Sequence, residues 1–166
     1  MPKRLPLRVH AHTVRGFRAA AAERHRDAGV LAAHGRRTAA VYLWGYVAEM
    51  VLKAAYFSAF GYRPDEAITR ADLEAARRLA PSVGLTWAGN LHNVHAWGQL
   101  LVRTRAGVPG LAYPNPLFPS RVAATTFRIA QLWSEVLRYH ENVAYTHEVR
   151  RVADAVGWLF DSSGEL

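Results

Sequence analysis

From Val41 to Phe60 the chain carries its longest apolar stretch, and the pattern within it is helical. Val41, Trp44, Val47, Ala48, Val51, Leu52 and Ala55 recur at the three- and four-residue spacing of one helix face. The spacing predicts a helix from about Arg37 to Phe60, ended by Gly61. Apolar and aromatic residues cover most of its circumference, so it belongs at the centre of a bundle. Glu49 and Lys53 sit near its middle and would be costly in lipid, so a core helix is expected, not a membrane span.

Five weaker helical segments surround this one in sequence. Pro2 and Pro6 oppose helix in a basic N-terminal arm, residues 1–12. Thr13 can cap a first helix running to about His34, with Gly35 as its stop. Pro64 and Asp65 should start a third, more polar helix reaching Leu79. Asn90 can cap a fourth over Leu91–Thr104, and Ser120 a fifth over Arg121–His140. A last helix is expected from Thr146 to Phe160. Between the fourth and fifth lies a Pro/Gly-rich loop, 107–120, which is either functional or packed by Leu111, Tyr113 and Phe118. No strand pattern, internal repeat or second domain is evident. The expectation is one all-α domain over 1–166, an antiparallel up-and-down bundle of about five to six helices.

Charge bears on the partner. The chain holds 21 Lys and Arg against 13 Asp and Glu, a net charge of +8, and 19 of the 21 are arginine. That balance favours polyanions such as nucleic acid or nucleotides, although arginine and alanine richness also follows from a GC-rich genome. There is no cysteine, so disulfides and thiolate metal sites are excluded. No long apolar run follows Met1–His12, so no secretory signal is expected and the cytoplasm is the expected compartment.

Chemistry-bearing motifs are few. GxSxG, GxGxxG and P-loop patterns are absent. His92 and His95 stand three apart, but HExxH is missing and no Asp or Glu lies near His92, so no metal and no cofactor is expected. Those histidines are expected to cap or hydrogen-bond near a helix start. Tyr42, Tyr46, Glu49, Lys53 and Tyr56 fall on one stripe of the central helix, with Glu49 and Lys53 in the favourable order for an ion pair. The favoured reading is the less buried edge of a core helix, with hydroxyls reaching water. The alternatives are a cleft lining or a dimer seam. Near the end of the fifth helix, Arg138 can pair with Glu135 or face a phosphate.

The run Ala39-Ala-Val-Tyr-Leu-Trp-Gly-Tyr-Val-Ala-Glu-Met-Val-Leu-Lys-Ala54 resembles the central helix of HEPN-type domains, helical modules named for nucleotide binding in higher eukaryotes and prokaryotes. The matching positions are Tyr46, Ala48, Glu49 and Leu52-Lys53-Ala54. Asn90–His95 is similar to the family's His-bearing helix start, Leu137-Arg138-Tyr139 to its late Arg-Tyr, and Trp158-Leu159 to its closing helix. The likeness implies an antiparallel bundle, often a homodimer, and commonly a nucleotidyltransferase-type antitoxin partner. Some members are ribonucleases, with Arg and His separated by four to six residues in the late helix. Here His140 and His147 follow Arg138 with one and eight residues between, and the Arg18–His25 pair lies in the first helix.

Three functions follow as expectations. The first is a non-catalytic HEPN-like module binding nucleotide, RNA or a partner protein, with Tyr46, Glu49, Lys53, Arg138 and Tyr139 as ligand-binding candidates. It would be dimeric and a component of a toxin–antitoxin type of pair. The second is a metal-independent ribonuclease using Arg138, His140 and His147, with Arg18 and His25 as further candidates. The third is a structural subunit of a larger assembly, with loop 107–120 making the contacts.

Overall fold

A computed structural model describes residues 12–166, and the N-terminal arm falls outside them apart from His12. Among the described residues six α-helices follow one another: α1 (Val14–Ala33), α2 (Arg37–Ala59), α3 (Arg70–Leu79), α4 (Val94–Gly107), α5 (Phe118–Ala130) and α6 (Thr146–Asp161). The only strand-like pairing among them is an isolated bridge between His12 and Ile68. The protein is an all-α helical bundle.

The apolar spacing of α2 sets the architecture. It packs against α1, α4 and α6, and against the 3-10 turn Glu135–Tyr139. Every residue from Val51 to Phe57 is buried. Burying each Val, Leu or Phe side chain contributes roughly 1.5–3 kcal/mol. A central rod needs neighbours that can approach closely, and two glycines permit it. A Cβ on Gly45 would lie 2.0 Å from the Trp133 indole nitrogen, and one on Gly98 of α4 would lie 2.6 Å from a Thr126 methyl on α5.

Three helices have bounds that differ from those expected. The third helix begins at Arg70 instead of Asp65, because Thr69 and Asp72 form a reciprocal capping box. The Thr69 N–H donates to Asp72 at 2.7 Å and the Asp72 N–H to Thr69 Oγ1 at 3.3 Å. The residues before it are held as a strap, with Pro64 and His12 carbonyls accepting from Arg15 and Ile68 N–H groups. The fourth helix begins at Val94 because Asn93, not Asn90, is the cap, its Oδ1 accepting from Ala96 at 2.9 Å. Asn90 instead accepts from the His92 N–H two residues on, which turns the chain ahead of the helix.

The fifth helix starts at Phe118 rather than Arg121 and stops at Ala130, ten residues short of His140. The chain breaks there to insert Trp133 against α2, where the indole N–H donates to the Tyr42 carbonyl at 3.0 Å over the bare face of Gly45. Ser134 then caps the short turn Glu135–Tyr139. Arg138 therefore sits on a 3-10 turn and not near the C-terminus of a long helix. The Pro/Gly-rich connection is correspondingly short. It is packed down by Tyr113 against Phe118, with ring centroids 5.1 Å apart, and by Arg105, whose guanidinium covers the Tyr113 ring and whose Nε donates to the Leu111 carbonyl.

Candidate functional site

Glu49 and Lys53 are separated by one turn of α2 and pair at 2.5 Å, both 4–5% exposed. Removing two charges from water demands further partners. Lys53 takes one in the Trp97 ring face, 5.4 Å from its Nζ. Glu49 takes another from outside its own helix. Nδ1 of His92 lies 2.9 Å from Oε2 and 3.2 Å from Oε1. A carboxylate can only accept, so Nδ1 carries the hydrogen and the imidazole is orientated by it. The Glu49 hydrogen bond raises the His92 pKa above 6.5, against the opposing effect of partial burial. Among the described residues its Nε2 has no hydrogen-bond partner.

This triad stands between two hollows. On the α1 side lies a chamber of about 590 Å³, open to solvent at Gly16 and Arg70 and walled by Phe17 and Ala20 of α1, Met50 of α2 and Leu73 of α3, with Lys53, Glu49 and Tyr46 as its polar lining. Outward lies a cleft of about 470 Å³ carrying Arg70, Arg77 and Arg138 with Glu74 and Glu135. Arg70, Leu91 and His92 border both. The cleft is fixed by the Asn90 turn, whose side-chain amide donates to Glu135 at 2.6 Å. That bond holds the Glu135 carboxyl below the usual range. Arg77 meets Glu74 only loosely, at 3.7 Å, and Arg138 stacks over Tyr139 at 4.6 Å.

The five-residue stripe is therefore not the wetter edge of the helix. Glu49, Lys53 and Tyr56 are buried. Tyr56 packs on Trp97 and Phe60, and burial pushes its phenol up to about 12. Tyr46 bridges Tyr42, Trp133 and His92 by edge-on ring contacts, with burial raising its phenol well above the ordinary range.

Of the ligand-binding candidates, Tyr46, Glu49 and Lys53 meet at the chamber, Arg138 lines the cleft beside it, and Tyr139 is 74% exposed. His140 and His147 are exposed and line neither hollow; His147 stacks on Tyr145. His25 stacks on Phe160, and Arg18 borders a separate hollow beside Ser58 and Leu166.

The expectation that no acid lies near His92 is wrong in space, because Glu49 is 43 residues away in sequence. His92 precedes α4 and His95 is in it, and the two rings take different partners. His95 lies 3.2 Å from Thr126 Oγ1 and 2.7 Å from Gln99, and burial lowers its pKa. Among the described residues no three His, Asp or Glu side chains form a metal-binding group.

His92, Arg70, Arg77 and the Asn90–Glu135 bond were not singled out as a site from the sequence. One signal pointed there: an acid and a base inside an otherwise apolar helix need a polar neighbour from elsewhere. Nothing local says which. Comparison with family models, characterised proteins and solved structures finds no significant match. The fold and site define a helical bundle with a cationic cleft beside a partly apolar chamber. No helix among the described residues is long and apolar enough to cross a membrane.

Proposed function

We propose that this chain is a non-catalytic, HEPN-like cytoplasmic module that binds a phosphate-bearing ligand, a nucleotide or RNA, in the outer cleft. One observation carries the reading: Arg70, Arg77 and Arg138 converge with His92 on a single hollow of about 470 Å³. Guanidinium groups match phosphate oxygens two at a time, and a protonated imidazole adds a further donor. The net charge of +8 supports attraction over longer range. The likeness of Ala39–Ala54 to HEPN central helices adds the homodimer and the nucleotidyltransferase-type partner to the proposal. The ribonuclease reading has no comparable support, since His140 and His147 stand away from the cleft.

Fluorescence anisotropy with a labelled single-stranded RNA and with ATP, over a salt series, tests the reading. Affinity for RNA should fall with salt at a log–log slope of about −0.7 per phosphate neutralised. Arg77→Ala with Arg138→Ala should flatten that slope by about 1.4, two phosphate contacts' worth. Absence of binding to either probe at about 50 mM salt removes the anion reading and leaves a partner-interaction module. Sedimentation that reports only monomer at every concentration removes the dimer.

A further inference from the structure

We infer that the inner chamber is a second binding site, for a small organic carboxylate with an apolar body, seated on Lys53. Its volume of about 590 Å³ falls within the range of roughly 300–1,000 Å³ typical of small-molecule pockets. Two features give it a chemical preference.

The first is an under-used buried cation. Lys53 is 5% exposed and lines the chamber. An ammonium has three N–H donors, and among the described residues only the Glu49 carboxylate accepts from it. The Trp97 ring offers a π-face but no lone pair. A buried donor left without an acceptor is unfavourable. An oxygen supplied by a ligand inside the chamber would complete the set. The charge sum has the same sense, with Lys53 and Arg70 on the wall against Glu49 alone. A monoanion reduces that excess, whereas a cation would add to it.

The second is the apolar part of the lining. Phe17, Ala20, Met50, Leu73 and Leu91 present hydrocarbon. That part suits an alkyl or aryl group and gives a fully hydrated anion nothing to hold. A carboxylate at one end of a short hydrocarbon satisfies both sides together.

The site is separable from the outer cleft. Ala20 and Met50 border the chamber and not the cleft, while Arg77 and Arg138 border the cleft and not the chamber. Arg70 and His92 border both hollows, so the two proposals are told apart by variants at those four unshared residues.

The test uses 3-phenylpropionate against its neutral isostere 3-phenylpropanamide, on the full chain, by thermal shift and isothermal titration. The acid is expected to raise Tm with the logarithm of its concentration, by about 5 °C or more at a hundredfold excess over Kd, and to bind at least tenfold tighter than the amide. Ala20→Trp and, independently, Met50→Trp should abolish that rise by filling the chamber, while Arg77→Ala with Arg138→Ala leaves it unchanged. The double variant Glu49→Gln, Lys53→Met, confirmed as folded by circular dichroism, should lose most of the preference for acid over amide. Equal binding of acid and amide to the wild-type protein overturns the inference. So does a shift that survives either tryptophan, or no shift at all at millimolar acid. The wild-type comparison needs no variant, so a variant that fails to fold does not rescue the idea.

Discussion

Gly45 shows how much one missing methyl group decides. Its Cβ position is occupied by the Trp133 indole, 2.0 Å away. Gly45→Ala must therefore expel Trp133 from α2 and break its hydrogen bond to Tyr42. Overpacking of this kind costs about 1–3 kcal/mol, with about 1 kcal/mol more for the lost hydrogen bond. Urea unfolding should show a loss of about 3 kcal/mol and an unchanged m-value. Lys53 is the second such residue. Lys53→Met leaves the Glu49 carboxylate buried beside a half-exposed imidazole as its remaining partner. Breaking one member of a buried pair costs about 3–5 kcal/mol. Adding Glu49→Gln should recover part of it, and a double-mutant cycle measures how much. A cycle with no coupling would show that the pair contributes nothing specific. Both residues stood out in the sequence as oddities in an apolar helix, but neither announced its partner.

The turn leading into α4 brings the pH into play. Its His92 has a folded-state pKa raised by Glu49. The stability contributed by that contact is present in full below about pH 6.5, the ordinary histidine value, and is lost as pH rises through the raised folded value. Tm should therefore decline more steeply between slightly acid and slightly alkaline pH in the wild type than in His92→Gln. Titration of the His92 ring by NMR should find its midpoint above those of exposed histidines; a midpoint at or below them would contradict the arrangement. At the entry to α3, Thr69→Ala removes one side of the capping box and should cost about 1 kcal/mol. Helix existence was legible here because apolar spacing is a local signal. The start of α3, the cap of α4 and the end of α5 were not. Several residues in each stretch have capping chemistry, and packing chose among them. Asn90 and Asn93 are both good caps, and Asn93 serves because Asn90 is committed to His92 and Glu135.

For the whole molecule, charge and packing answer different questions. The excess of 8 positive charges is spread over the chain, so some polyanion binding at low salt should persist after Arg77 and Arg138 are removed. What the double variant should lose is affinity at physiological salt, where screening leaves the short-range contacts of the cleft in control. If salt dependence and affinity are both untouched, the ligand binds some other face. Exposed Tyr139, Tyr145, Val136 and Val143 lie on or after the Glu135–Tyr139 turn. Their substitution by serine is the comparison that would locate such a face.

Sequence alone determined that the chain is helical, that residues 37–60 occupy its middle, and that an acid and a base lie inside that rod, because periodicity and burial preference are properties of neighbouring residues. Tertiary structure decided that His92 meets Glu49, that Arg138 of the Glu135–Tyr139 turn joins Arg70 and Arg77 of α3 in one cleft, and that Trp133 ends a helix early. Those outcomes depend on which distant surfaces fit together, and close packing is a relation between segments that no stretch of chain encodes by itself.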